Sequence, residues 1–386
     1  IMEAPVLALI PSGVKAGKVY SILPNNGTGD FTFTRASEGT RIDESGLINV
    51  QGSGIPRLDW GDGDCPSLLL EPQRTNIIDY SEILTFWNSV GATFTGNQSA
   101  PDGTVNALKI DLAAGQSYLY NFPGVNGLTY TISGYFRADS PTTIGFSNGA
   151  NIANPINVTT QWKRFETTFV RAAGGIQIDN YFGVQPGQLA KSFYAWGLQM
   201  EEGLYASSYI PTKSVAETRL VDTCEVASGL QEYIGQNKGT LFVDFEYLAP
   251  IENNSSTDSI RDIFILGKSG NTSDFVRFDN FRSIFRVVIT QNGISYDVSS
   301  AVAGSALANT RYRLAIRYES GNSKSFLNGS LLGSNSVNIN FGAVLDGIFF
   351  SWAASSRTFR NQKKVYDLRT YKEALTDAQL IELTTL

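Results

Sequence analysis

The chain predicts an all-β protein: two tandem antiparallel β-sandwiches of jelly-roll type, preceded by an extended N-terminal arm. Three observations carry that expectation. Apolar and polar residues alternate with period two in many short runs, such as Tyr130 to Arg137, YTISGYFR, and Thr240 to Tyr247, TLFVDFEY. Turn residues separate the runs. The composition is rich in β formers and turn formers, with 23 Phe, 17 Tyr and 37 Gly among 386 residues, ample for two or three cores.

Residues 1–60 read as the arm. Pro5, Pro11 and Pro24 interrupt it, and Asn25 to Gly29 is a turn. Short strands are expected at Asp30 to Arg35 and Gly39 to Ile42, and Asp43 to Gly46 turns the chain into Leu47 to Val50. Such hairpins bury little apolar surface alone, so they either wrap their own sandwich or anchor the chain to a neighbour. Deleting residues 1–50 is expected to leave both sandwiches folded.

Residues 61–215 read as the first sandwich. Ser117 to Phe122 puts Tyr118, Tyr120 and Phe122 on one face. Tyr130, Ile132 and Phe136 share a face, with Thr131, Ser133, Tyr135 and Arg137 opposite. Arg164 to Val170 turns Phe165 and Phe169 inward, and Trp196 and Met200 belong to the core of a central strand. Residues 216–237 lose the alternation and read as a connector with one short strand or helical turn. Residues 238–386 form the second sandwich. Leu241, Val243, Phe245 and Tyr247 share one face. Arg311 to Tyr318 puts Tyr312, Leu314, Ile316 and Tyr318 on one face and three arginines near the other. Asn328-Gly329 forms a hairpin apex, because both turn positions need positive φ. Lys364 to Tyr371 is a strand, and Thr376 opens a short helix with Gln379 at capping-box spacing and Leu380 and Leu383 as anchors.

The net charge of −6 gives no electrostatic reason to bind nucleic acid or an anionic membrane. No stretch approaches transmembrane length, and no signal peptide is evident. The chain opens Ile1-Met2, as a processed or incompletely covered product does. The absence of histidine excludes a Ser-His-Asp triad, a Cys-His dyad and His-ligated metal sites within the chain. Cys65 and Cys224 flank the first sandwich. They are either bridged or, the plainer reading, two reduced thiols. Asp59, Asp62 and Asp64 cluster in a Gly-rich loop with the oxygens a hard cation takes, though a solvated turn is the preferred reading. Adjacent Glu201 and Glu202 point to opposite faces of a strand and make no acid/base pair.

Several phrases resemble a family pattern. They are Cys65 to Asn76, CPSLLLEPQRTN; Tyr80-Ser81-Glu82 with Trp87; Ala100 to Thr104; and Trp196 to Arg219, with WGLQMEEG, SYIPT and TR. Together with Ile10 to Pro24 they resemble bacteriophage tail-fibre, head-fibre and virion-surface proteins over nearly the whole chain. Trp162 to Phe169, WKRFETTF, is similar to strands of jelly-roll carbohydrate-binding modules. The order GTLFVDFE, RYRLAIRY, FLNG and YKEALTDAQLIEL over Lys238 to Leu386 resembles laminin-G and concanavalin A-like sandwiches.

The resemblance implies a non-enzymatic virion component on the phage particle surface, made in the bacterial cytoplasm. Its implied partners are other virion proteins and a host-surface glycan. A homotrimer is implied too, since several weak sugar sites on one body gain avidity. No coiled-coil heptad is present, so a trimer forms through β surfaces or the arm. Glycan-binding candidates are Trp87, Tyr135, Trp162 and Tyr181, with Arg137, Asn148 and Asn151 as polar partners; sandwich aromatics are more often core. No cofactor is expected beyond Ca2+, which laminin-G-like domains often hold at a rim, here near Asp274 and Asp279. The alternatives are a glycan depolymerase using paired carboxylates and a bacterial surface adhesin module.

Overall fold

The structure is a computed structural model that describes residues 3–61, 63–115, 118–121, 124–147, 153–171, 176–179, 189–248, 260–281, 284–299, 307–350 and 362–386. It is all-β, in antiparallel sheets, as the alternation predicts. The one α-helix among the described residues, Asp377–Thr384, has the anticipated capping box of Thr376 and Gln379. Its Leu380 and Leu383 pack with Phe242, Ala315, Phe326, Tyr371 and Leu375. No helix among the described residues is long and apolar enough to cross a membrane.

The chain divides into two compact units, and neither is continuous in sequence. Residues 1–38, 51–73 and 220–386 form the first, and residues 39–50 and 74–219 the second. The expected arm is therefore distributed between them. Leu7–Leu9 pairs with Lys363–Tyr371, and Phe31–Thr34 pairs with Thr223–Val226. Leu7, Leu9, Val19, Phe31 and Phe33 are buried in the core of the first unit. Removing residues 1–50 thus strips core side chains, contrary to the expectation from sequence. The expected boundary at residue 61 also moves, because Arg57–Asp59 and Ser67–Leu70 extend the sheet of Lys363–Tyr371. The expected connector holds two strands, Glu217–Arg219 and Thr223–Val226.

In the first unit, one sheet runs Ser330–Asn335, Ser323–Leu327, Thr310–Glu319, Lys238–Tyr247, Lys363–Tyr371, Ser67–Leu70, Arg57–Asp59. The other includes Phe31–Thr34, Thr223–Val226, Gly347–Phe349, Ile260–Gly267, Phe275–Phe281 and Ile284–Gln291. Leu241, Val243, Phe245, Leu314 and Ile316 meet Phe264, Leu266, Val276, Phe278 and Val287 in one core, the packing of a β-sandwich. The hairpin after Ser323–Leu327 turns through Asn328 and Gly329 at φ 47° and 76°. Cys65 is exposed, Cys224 is buried, and both are free thiols.

Two of the buried charge sites among the described residues of this unit bear on its stability. Asp222 meets Arg35 at 3.2 Å and also Arg57, and Arg57 meets Glu71 at 2.5 Å, with all four side chains fully buried. Burial pulls the Arg57 guanidinium down, but Asp222 and Glu71 outweigh it and hold it above its ordinary value. Lys363 is also buried, and its Nζ donates to the carbonyls of Ile263 at 2.7 Å, Phe350 at 2.8 Å and Asp262 at 3.2 Å.

Burial pushes the Lys363 ammonium down to about 7, against the opposing charge of Asp262. An unfolded lysine keeps its proton to about pH 10.4. Between those values the unfolded chain binds more protons, so stability falls as pH falls from about 10 to 7, by at most about 1.4 kcal/mol per unit. Urea midpoints at several pH values in that window should show a shallower slope for Lys363→Met than for the natural chain. Equal slopes would remove Lys363 as the source.

In the second unit two five-stranded sheets face each other. One runs Asn88–Val90, Tyr118–Asn121, Ile176–Asp179, Thr142–Ser147, Ala153–Val158. Its partner runs Ala92–Gln98, Ala107–Leu112, Lys191–Glu202, Thr129–Arg137, Lys163–Val170. Ile110, Leu119, Ile132, Phe136, Ile144, Ile178, Phe193, Leu198 and Met200 fill the core between them.

Candidate functional site

The face of the Lys191–Glu202 sheet opposite that core carries the candidate residues. In Thr129–Arg137, Tyr130, Ile132 and Phe136 point into the core, so Tyr135 and Arg137 point outward, as the sequence pattern anticipates. The neighbouring strand needs a correction of phase. Ser133 pairs with Gln199 but Tyr135 with Trp196, so one extra residue bulges there. Gly197 takes that position at φ 64°, a conformation glycine adopts without strain. The bulge puts Met200 in the inner core and Trp196 in the outer cluster with Ile48, Ala100, Ala107 and Tyr209. Both residues are buried, as expected, but on opposite faces.

Register then aligns Lys109, Tyr194 and Arg137 in one row across three strands. The Arg137 guanidinium lies 3.7 Å from the Tyr194 ring centroid and 5.5 Å from that of Trp162. The Tyr194 hydroxyl donates to Asp139 at 3.1 Å. Asp139 lies 4.0 Å from Lys109 and 3.9 Å from Arg137, and its side chain is 65% exposed. Tyr135 adjoins this row, with Trp196 at 5.7 Å and the Arg164 guanidinium 5.6 Å from its ring. Arg164 is itself fixed by the Ser207 carbonyl at 2.6 Å and the Ser133 hydroxyl at 2.9 Å. The arrangement is a stacked aromatic and cationic platform with an exposed carboxylate and a half-buried ammonium at its edge. It offers flat apolar faces, N–H donors and a carboxylate acceptor within one patch.

Of the sequence candidates, Tyr135, Arg137 and Trp162 come together here. Trp87 does not: it is 4% exposed in the inner core, where the 3-10 turn Leu84–Phe86 delivers it. Asn148, Asn151 and Tyr181 lie outside the described residues, as does Asp62. Asp59 is buried against Lys364 at 2.9 Å, and Asp64 is exposed in a bend. Asp279 sits within Phe275–Phe281 rather than in a loop, paired with Arg277 at 2.6 Å and Arg286 at 2.9 Å. Asp274 accepts from the backbone of Asn292 and Gly342. Among the described residues no group of three His, Cys, Asp or Glu is placed to hold a metal. Lys109, Asp139 and Tyr194 were missed from sequence; the outward alternation of Tyr194 with Ser192 was the available signal.

Some of the phrases that carry the family resemblance, around Asn76, Ser81-Glu82 and Gln199 to Thr212, belong to the second unit and brace this face. Asn76 donates its amide to the carbonyls of Ile210 and Leu198 and accepts from the backbone of Ile78 and Met200. Ser81 hydrogen-bonds the Tyr209 hydroxyl at 2.6 Å and the backbone of Thr212. Glu82 accepts from Tyr209 at 2.8 Å and from Asn106, and Asn106 accepts from the Trp196 indole. Burial raises the Glu82 carboxyl above its usual range, and hydrogen bonds from Tyr209 and Asn106 oppose that. Glu201 is fully buried among Gln199 and Ser207, while Glu202 is exposed, so the two glutamates do face apart. These buried side chains saturate backbone groups, a structural duty.

No protein-family model matches the chain, and no curated protein matches it. Solved structures similar to it include the Ruminococcus gnavus IT-sialidase CBM40 bound to α2,3 sialyllactose, at 13% identity and TM-score 0.31, covering 39% of this chain and 84% of that one. Domain 4 of AbnA, an extracellular arabinanase from Geobacillus stearothermophilus in complex with arabinotriose, shows 16% identity and TM-score 0.33 over 48% and 84%. The SAP-like pentraxin from Limulus polyphemus shows 14% identity and TM-score 0.29 over 38% and 68%. At this level the likeness carries no argument about what this chain does.

Proposed function

We propose that the chain is a non-enzymatic, glycan-binding component of a bacteriophage particle surface, serving attachment to the host. One observation carries the binding: the stack of Trp162, Arg137 and Tyr194 beside the exposed carboxylate of Asp139 and the Lys109 ammonium. A pyranose lays its C–H face on an aromatic ring and directs its hydroxyls to the ring's edge, where N–H donors and a carboxylate meet them. The Tyr135 and Arg164 pair extends the same patch. The phage setting is supported by the motif phrases. Those around Asn76, Ser81-Glu82 and Gln199 to Thr212 brace this patch, and none says which sugar it takes. Virion proteins as partners and a homotrimer belong to the same reading, and light scattering at micromolar concentration checks the trimer.

A glycan array tests the binding. The natural chain should retain a defined set of glycans, and Trp162→Ala and Arg137→Ala should each cut retention tenfold or more, with circular dichroism unchanged. Chelation with EDTA should leave retention intact, because no metal enters this reading. No retained glycan, or equal retention by both variants, would overturn it. Release of reducing ends from a retained polysaccharide would make the chain a depolymerase instead.

A further inference from the structure

We propose a second ligand site, in the first unit, that takes a neutral polyhydroxylated ring. It is a groove of about 250 Å³ lined by Phe242, Asp244, Arg313, Asp367, Arg369 and Glu382, with Leu383. That volume falls below the roughly 300–1,000 Å³ of pockets for drug-sized ligands, so it suits a single ring rather than a chain segment. The groove lies where the C-terminal helix meets the outward face of Lys238–Tyr247, Thr310–Glu319 and Lys363–Tyr371. Phe242 and Leu383 belong to the helix-anchoring cluster and supply its apolar wall.

Its charges are already matched. Asp244 accepts from Arg311 Nε at 2.7 Å and from Arg313 Nε at 2.7 Å. Asp367 accepts from Arg369 through both Nε and a terminal nitrogen. Pairing on this scale holds the guanidinium planes still. A guanidinium carries five N–H donors. Arg369 uses two of them on Asp367, and Arg313 uses its Nε on Asp244 and a terminal nitrogen on the Thr385 carbonyl. Tyr371 adjoins Arg369 as well, and the donors left over face the groove next to carboxylate oxygens with spare lone pairs. Tyr371, in the same cluster as Phe242 and Leu383, is 1% exposed. Its hydroxyl lies beside the Arg369 guanidinium.

Fixed donors beside fixed acceptors, next to an apolar wall, match vicinal hydroxyls, each of which gives one hydrogen bond and takes another. With Arg311 also on Asp244, three arginines meet the three carboxylates of the lining, so neither an anion nor a cation is favoured. The ligand class is therefore a neutral sugar, not a sialylated or phosphorylated one.

The test is ligand-observed NMR on the full chain with glucose, galactose, mannose and N-acetylglucosamine, and with sialic acid and inorganic phosphate as charged comparisons. At least one neutral sugar should bind and be weakened tenfold or more by Arg369→Ala. Glu382→Trp, an exposed position at the groove's rim, should block it without touching the packed core. Trp162→Ala should leave this binding unchanged, which separates the site from the one proposed in the second unit. Binding of none of the neutral sugars, indifference to Glu382→Trp, or preference for sialic acid or phosphate would overturn the proposal.

Discussion

Asp222→Ala should lower stability by about 3–5 kcal/mol, the cost of leaving buried charge without its partner. Asp222 is the hub of the cluster. It meets Arg35 and Arg57 through separate oxygens and accepts from the Glu71 backbone at 2.8 Å. Without it, two fully buried guanidinium groups each lose a carboxylate oxygen. Arg35 keeps three carbonyl contacts, to Ser37, Gln51 and Gly52, so its penalty is partly met. Arg57 keeps Glu71 at 2.5 Å. Urea denaturation followed by tryptophan fluorescence checks this. A loss below about 1 kcal/mol would place the cluster among exposed ion pairs in its energetics.

Asn76→Ala has the second largest expected effect. One side chain satisfies four backbone groups: the carbonyls of Ile210 at 2.8 Å and Leu198 at 3.3 Å, and the N–H groups of Ile78 and Met200, both at 3.1 Å. Alanine orphans all four in a fully buried place. At about 1–3 kcal/mol for each unsatisfied buried group, with relaxation recovering part, the loss should reach about 3–5 kcal/mol. Asn76→Asp keeps the acceptor but turns a buried carboxylate oxygen toward the carbonyls of Leu198 and Ile210, so above pH 5 it should be at least as unstable as alanine. Equal stability of Asn76→Ala and the natural chain in thermal unfolding would show that water replaces the amide.

The local part of this architecture was legible in the sequence. Period-two runs located strands such as Thr129–Arg137 and Lys238–Tyr247, Asn328-Gly329 marked its turn, and Thr376 with Gln379 marked the helix. The division into units was not legible. Leu7–Leu9 pairs with a strand more than 350 positions away, and a three-residue strand carries no sign of its partner. The outer face was read halfway. Alternation placed Tyr135 and Arg137 outward, but the glycine bulge at Gly197 shifted the phase of the adjoining strand, which hid Tyr194 from the list and put Trp196 on the opposite face from Met200. Trp87 misled because a tryptophan beside a short turn is equally suited to a surface or to a core, and Leu84–Phe86 directs it inward.

The central claim is that the outer face of the second unit holds a sugar against Trp162. Indole 1H–15N NMR tests it most directly, using a chain labelled at tryptophan and titrated with a glycan retained on the array. Trp87, 4% exposed in the inner core on the opposite side of the sheet, serves as the internal control. The account predicts that the Trp162 indole resonance moves and saturates, that the Trp87 resonance stays fixed, and that Arg137→Ala abolishes the movement. Saturable binding that leaves the Trp162 resonance in place would contradict it.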